Sequence, residues 1–336
     1  MKDATIKDIA EKAGVSITTV SRVINGNYPV SKDTEARVRA AMKETDFHPN
    51  AVAQSLRNNR TNLVALIIAD LSNQFFMEIA KGLETKVEEM GASLMIASSG
   101  NSPEREEKII ERLIARKVDG LVIASSGKGS IPAIRKIQKS GIPLVLVDRP
   151  LDEVDVNQIL WNDSSVAYKL TELLIQNGHK KIGAVNVTLT NRTGKLRYEG
   201  FLKALEDNGI PVTEKYVSDS NFGEEEAYRF VSRIMNEDDR PTALVAMNNI
   251  MAMGTLRALR DLGLSVGEDV SLVVFGNIGR SQYLPLPVTH AFQDSLSMGA
   301  IAGETLSRSI SKPSACAVRT VIDCPIVEGM SIKTIK

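Results

Sequence analysis
A chain of 336 residues with 43% hydrophobic and 24% charged content has the length of two or three domains and enough apolar side chains to fill their cores, which excludes a disordered or fibrous protein. Its 41 Lys and Arg equal its 41 Asp and Glu, so overall charge announces neither a nucleic-acid nor a membrane partner. Cys316 and Cys324 lack His or Cys companions at metal-ligand spacing, no run approaches the ~20 apolar residues of a membrane span, and no apolar signal core follows Met1-Lys2; reduced thiols, no metal, no cofactor, no membrane and a cytoplasmic location are expected.

The charge is unevenly spread. Residues 1–60 carry ten basic side chains against seven acidic ones, a local +3 that mildly favours DNA. Here Thr5 is placed to cap a first helix with Asp8 as its reciprocal partner; Ile6, Ile9, Ala10 and Ala13 form its inner stripe, and Gly14 ends it. Ser16 caps a second helix in which Thr19, Val20, Val23 and Ile24 share a side while Ile17, Thr18, Ser21 and Arg22 point elsewhere. A third helix is predicted over 32–44 behind Ser31, with Ala36, Val38, Ala40, Ala41 and Met42 supplying apolar contacts. A helix, a glycine turn and a second helix with a polar outer face read as a DNA-binding helix-turn-helix. Helices this short bury little apolar surface, so the module is expected to be marginally stable.

After Phe47-His48-Pro49, residues 50–57 are helical in pattern but too poor in apolar residues to fold without a partner. From Leu63 onward the texture changes. Strands are predicted near 63–69, 93–97, 120–124 and 144–147 with helices near 75–90, 104–116 and 131–140, then strands near 181–187, 215–218, 242–247 and 270–275 with helices near 165–177, 195–208, 224–236 and 250–262. Repeated βα units with continuous apolar strands predict parallel sheets covered on both faces, and two series predict two lobes. A helix near 295–311 and a strand near 318–327 are placed to recross between lobes. Ligands of open α/β sheets sit at the carboxyl ends of strands, which points to the loops beginning at Asp70, Asp148, Asn186, Asn248 and Gly276 and to an interlobe cleft.

Ordered motifs accompany these parts. They are Thr5-Ile6-Lys7-Asp8-Ile9-Ala10 through Gly14-Val15-Ser16, Thr19-Val20-Ser21-Arg22-Val23, Asn25-Gly26, Pro49 through Leu56, Asn73-Gln74-Phe75-Phe76, Val147-Asp148-Arg149-Pro150, Gly178-His179-Lys180-Lys181-Ile182-Gly183 and Arg197-Tyr198-Glu199-Gly200-Phe201. In this set the chain resembles the lactose/galactose repressor family of bacterial transcription regulators over essentially its full length. The resemblance implies an N-terminal all-α helix-turn-helix module at 1–48, a hinge helix and linker at 49–60, and an α/β core of two Rossmann-like, periplasmic-binding-protein-like lobes at 61–336. The first lobe would take about 61–161 plus 294–322, the second about 162–293 plus 323–336.

It also implies a homodimer on a pseudo-palindromic operator, with a sugar-like small-molecule effector in the cleft. By family position Ile17, Thr18 and Arg22 would face base edges, and Thr5, Ser16, Thr19, Ser21, Asn25, Ser31, Thr34 and Asn50 would hold phosphates. Short hydroxyls and helix N-terminal amides suit phosphate oxygens, whereas an arginine can bridge guanine O6 and N7. In the hinge Ala53, Leu56 and Arg57 would lie in the minor groove, Leu56 as a wedge into a base step. Effector contacts carried over by position are Phe75, Phe76, Asp148, Arg197, Phe222, Asn248, Gly276 and Gln293. Phe75 and Phe76 also suit a core, Asp148 a turn and Asn248 a loop. Arg197 stands out, since a buried arginine needs an anionic or polyhydroxyl partner.

Two positions depart from the family pattern. Asn248-Asn249 stands where Asn-Asp is frequent, and Phe275-Gly276-Asn277 where an aromatic followed by Asp is frequent. With two carboxylates missing near Arg197 and Arg280, an acidic or phosphorylated sugar is expected. Glu304 takes the place of an arginine found in relatives that act through a phosphorylated carrier protein, which disfavours that mechanism, and without a leucine-rich heptad tail a dimer is favoured over a tetramer. A repressor of a carbohydrate-utilisation operon is the leading expectation. The core alone also resembles a periplasmic solute-binding protein without transcriptional role. No Walker loop, GxGxxG after the first strand, HExxH or GxSxG occurs, and His48, His179 and His290 are the only histidines, so an enzyme is not expected.

Overall fold
The computed structural model describes residues 4–25, 28–47, 60–185, 192–218, 223–278, 285–312 and 316–335. It divides the chain into two compact units, Met1–Thr61 and Asn62–Lys336.

In the first unit α1 (Ile6–Ala13) begins at a capping box: the Thr5 hydroxyl accepts from the Asp8 amide, and the Asp8 carboxylate accepts from the Thr5 amide at 2.8 Å. Gly14, at φ 63°, ends the helix in the left-handed conformation that side chains disfavour. The Ser16 hydroxyl accepts from the Thr19 amide at the start of α2 (Ile17–Asn25), and Ser31 does the same from Thr34 for α3 (Lys32–Glu44). Ile9, Ala10, Ala13, Val20, Val38 and Ala41 close a small core, flanked by Ile6, Val15, Val23, Ile24, Met42 and Phe47. Ala36 and Ala40, expected to pack inward, are exposed because the 3.6-residue period that buries Val38 and Ala41 turns them outward.

The second unit is built on two sheets. The first runs β10-β5-β4-β3-β1-β2, comprising β1 (Leu63–Ile68), β2 (Ser93–Ser98), β3 (Gly120–Ile123), β4 (Leu144–Asp148), β5 (Asn157–Trp161) and β10 (Arg319–Ile322), all parallel. The second runs β11-β9-β8-β7-β6, with β6 (Ile182–Val185), β7 (Ala243–Ala246), β8 (Ser271–Phe275) and β9 (Thr289–Ala291) parallel and β11 (Ile326–Val327) antiparallel to β9. The helices are α4 (Gln74–Glu89), α5 (Pro103–Ala115), α6 (Ile131–Ser140), α7 (Asp163–Gln176), α8 (Arg192–Asp207), α9 (Glu224–Met235), α10 (Asn249–Asp261) and α11 (Ser295–Ser311).

Four elements differ from the sequence reading, one of them β9, whose three residues lie outside every expected strand. β5 follows β4 with no helix between them, so the βα alternation gave no cue to it. The strand expected near 215–218 is a 3-10 turn at Glu214–Tyr216 with a single bridge between Val217 and Ala184, because the Tyr216 ring is buried and its hydroxyl bonds the Asp239 carbonyl. The strand expected over 318–327 is two strands, β10 in the first sheet and β11 in the second, joined through buried Cys324. The chain therefore passes between the sheets three times: from β5 into α7, from β9 into α11 and from β10 into β11.

One apolar cluster runs through both lobes, from Leu66, Phe76 and Met298 to Leu170, Phe201 and Val273. Separate clusters fill the outer face of each sheet. Helix pairs close this core by direct backbone approach. A Cβ on Gly82 would lie 2.0 Å from the Leu296 carbonyl oxygen and one on Gly299 2.0 Å from that of Ile79, where α4 meets α11. Gly200 meets Ser164 between α7 and α8, and Gly254 meets Glu224 between α10 and α9, each at 2.1 Å. Backbone cannot yield as a flexible side chain does. Gly299→Ala should force α4 and α11 apart and lower stability by about 1–3 kcal/mol, read as a drop in urea midpoint; an unchanged midpoint would remove close helix approach as the constraint on this position.

Candidate DNA-reading face and effector cleft
On the first unit, the face of α2 away from the core presents Ile17, 49% exposed, with exposed Thr18 and Arg22. Thr19 and Ser21 are half-buried beside them, and Thr5, Ser16 and Ser31 stand at three helix N-termini, where amides and hydroxyls suit phosphate oxygens. Thr34, half-buried, accepts from the Ser31 hydroxyl at 2.8 Å. Lys12 pairs with Glu44, Arg37 with Asp33 and Arg39 with Glu35, which removes equal numbers of each sign and leaves the +3 excess on the other side chains. The Asn25 side chain, Asn50, Ala53, Leu56 and Arg57 lie outside the described residues.

In the second unit, strand ends and helix starts surround a cleft of about 120 Å³. Of the expected effector contacts, Phe75, Phe76, Asp148, Arg197, Asn248 and Gln293 line it; Phe222 lies outside the described residues, as do Asn186 and Arg280. Phe75 and Phe76 pack edge to face with centroids 5.1 Å apart, and Phe76 is buried in the core cluster while still lining the cleft. Asn248 caps α10 by accepting from the Met251 amide at 2.7 Å, so one oxygen is already engaged.

The charged groups form two buried pairs. Arg197, on α8, donates from Nε to Asp163 at 2.7 Å and from Nη1 to the Met247 carbonyl at 2.5 Å, with its guanidinium 3.7 Å over the Phe275 ring. Arg149 donates to Asn101 at 2.7 Å and to the Ser125 carbonyl at 3.1 Å, and its Nε lies 3.7 Å from the Asp148 carboxylate. Glu106, fully buried behind it, accepts from the Ser126 amide at 2.7 Å. Burial pushes Asp163 up to about 6 even against the pull of Arg197. It also holds Asp148 above the usual carboxylate range, opposed by Arg149, Arg197 and the Trp161 indole.

This arrangement corrects two expectations. Arg197 does not lack a carboxylate, because Asp163 at the start of α7 supplies one, a pairing across 34 residues that no local motif signals. Gly276 does not leave an empty place either. It sits at φ 98°, and a Cβ there would come within 2.6 Å of the Gln293 side-chain oxygen. Asn277 fixes that glutamine by exchanging hydrogen bonds with the Gln293 backbone at 2.8 and 2.9 Å. The Gln293 Nε2 is buried and has no hydrogen-bond partner among the described residues. Among the described residues each of the buried arginines Arg197 and Arg149 has a carboxylate beside it, so the charge argument for an acidic ligand falls away.

Asn73, Arg149 and Asn249 line the cleft from the loops expected to begin at Asp70, Asp148 and Asn248, whereas Asn101 and Thr193 had no place in the sequence reading. Asn249 donates to Asn73 at 2.9 Å, a direct bond between lobes. Asn101 lies in the loop after β2, a strand end like the others that wall the cleft. Among the described residues no His, Cys, Asp and Glu cluster could hold a metal, and no helix is long and apolar enough to cross a membrane. His179 is fully buried and structural, with Thr242, Ser271 and the Lys333 carbonyl around its ring.

The family described as Bacterial regulatory proteins, lacI family, matches residues 5–50, and that described as Periplasmic binding proteins and sugar binding domain of LacI family matches residues 61–326. The chain belongs to the lacI family of bacterial regulatory proteins. This LacI-family regulator is 34% identical to the HTH-type transcriptional repressor PurR of Pasteurella multocida over 93% of both chains, and 36% identical to PurR of Haemophilus influenzae over 91% of both. Among solved structures, the lac repressor dimer bound to operator and the anti-inducer ONPF matches with a TM-score of 0.88 and 26% identity, covering 99% of this chain and all of that one. The CelR–cellobiose complex matches with a TM-score of 0.73 and 26% identity, over 98% of this chain and 99% of that one. This regulator carries the family's DNA-binding helix-turn-helix module and its two-lobed α/β core.

Asp163 holds its proton more tightly folded than unfolded, so its contribution to stability is fully present below the ordinary value of 3.8 and is lost as pH rises through about 6. Relative to Asp163→Asn, the wild-type chain should lose on the order of 3 kcal/mol between about pH 4 and pH 7. Thermal unfolding of both proteins across that range checks it, and a difference that stays flat or grows with pH would refute the shift.

Proposed function
We propose that this LacI-family protein is a transcriptional repressor that binds a pseudo-palindromic operator as a homodimer and is switched by a neutral, polyhydroxyl ligand of about one ring, a monosaccharide first, in the interlobe cleft. The observation that carries the ligand class is the charge-matched cleft: Arg197 with Asp163 and Arg149 with Asp148 leave hydrogen-bonding capacity rather than net positive charge, and Gln293 Nε2 stands as a buried donor without a partner. A sugar hydroxyl supplies both an acceptor for that amide and donors for the carboxylates. The relative named for cellobiose and the sugar-binding description of the core family support a carbohydrate-utilisation operon as the target.

In this reading residues 1–48 read DNA, 49–60 form the hinge with Leu56 in the minor groove, and 61–336 bind effector and dimerise. Ile17, Thr18 and Arg22 face base edges. Thr5, Ser16, Thr19, Ser21, Asn25, Ser31, Thr34 and Asn50 hold phosphates. The relatives are transcriptional repressors, which supports a non-catalytic protein acting on DNA in the cytoplasm. Lys86 lies 3.5 Å from Glu304, which supports the reading that this helix face serves no phosphorylated carrier protein.

Operator affinity of the full-length protein should fall by about 0.9 log units per phosphate neutralised for each decade of salt, and Arg22→Ala should remove about 1–3 kcal/mol of discrimination at one base pair per half-site. A binding selection with unchanged preference everywhere would discard the Arg22 assignment. Calorimetry with neutral monosaccharides and their uronates or phosphates decides the ligand class. Heat and altered operator affinity are expected with a neutral sugar and are lost in Gln293→Ala; tight binding of only the acidic forms would overturn the reading.

A further inference from the structure
The Tyr28 side chain is 64% exposed, more than any other large apolar side chain in the first unit among the described residues. It is absent from the module's core, so packing does not account for it. The guanidinium of Arg22 lies 5.2 Å from the centroid of its ring, within the distance at which a cation is attracted to an aromatic face. The module's ion pairs among the described residues tie Lys12, Arg37 and Arg39 to carboxylates and do not include Arg22. Pro29 follows, which restricts the Tyr28 backbone to extended conformations and limits where the ring can go.

We infer that Tyr28 is a positioning residue for Arg22, its ring holding the guanidinium fork in one orientation on the DNA-reading face. The inference rests on Arg22 as a base contact. An arginine on a helix surface loses rotamer freedom when it forms a planar, two-bond contact with a guanine, and a ring stacked beside it removes part of that freedom beforehand. A carboxylate in the same place would orient the fork equally well but would repel phosphate; an aromatic ring orients it without adding negative charge. Because Tyr28 carries no charge, its removal should affect discrimination and not the salt dependence of binding.

The test is selection of full-length wild type, Arg22→Ala, Tyr28→Ala and Tyr28→Phe from a randomised duplex library, with a salt titration on the selected site. Circular dichroism confirms each fold, which exposure of both side chains leaves intact. Arg22→Ala is expected to flatten preference at one base pair per half-site. Tyr28→Ala should weaken the same preference about two- to five-fold, the exposed-site range for such a contact, with an unchanged salt slope, and Tyr28→Phe should behave as wild type. If Arg22→Ala flattens that position and Tyr28→Ala does not touch it, the inference is wrong while the base contact stands. Equal losses in Tyr28→Ala and Tyr28→Phe would assign the effect to the hydroxyl and overturn the role of the ring. Unchanged preference in Arg22→Ala would remove the base contact and this inference together.

Discussion
The second lobe is organised around the need to keep one buried arginine satisfied. Arg197 reaches Asp163 at the head of α7, the carbonyl of Met247 after β7 and the ring of Phe275 at the end of β8. A guanidinium removed from water needs such partners, because leaving it bare would cost several kcal/mol. Those partners lie on one helix and at the ends of two neighbouring strands, so satisfying the charge also fixes the strand ends that wall the cleft. The first lobe repeats the arrangement with Arg149, Asp148, Asn101 and Ser125. The cleft is polar without being charged overall in either direction, which is a different chemistry from that suggested by the two departures from family pattern read in isolation.

Much of the architecture could be read from the chain because local signals agreed with one another. Thr5 with Asp8, Gly14, Ser16 and Ser31 mark helix boundaries by direct side-chain chemistry, and continuous apolar runs mark central parallel strands. Signals that depend on distant partners were not legible. Asp163 is an unremarkable polar residue at a helix start until Arg197 folds over it, and Gly276 looks like a lost carboxylate until Gln293 is seen beside it. β5, β9 and β11 are short edge-side or crossover strands whose identity comes from the neighbours they pair with. Six of the eight effector positions line one cleft, because strand ends are a property of the fold and so survive errors in individual strands.

On the DNA-reading unit, the same hydroxyls that begin helices stand where phosphates are expected. Ser16 and Thr19 satisfy each other's polar atoms within the free module. The cap hydroxyls also spend their protons internally, Thr5 on the Asp8 carboxylate and Ser31 on the Thr34 hydroxyl, so to meet an anion such a hydroxyl turns its proton outward while its oxygen still closes the helix end.

The three passages of chain between the sheets have a mechanical consequence. A single tether would let the lobes swivel, and two would still permit torsion about the line joining them. Three tethers across one seam leave the lobes a single easy degree of freedom, bending about that seam, so that whatever occupies the cleft acts on one coordinate.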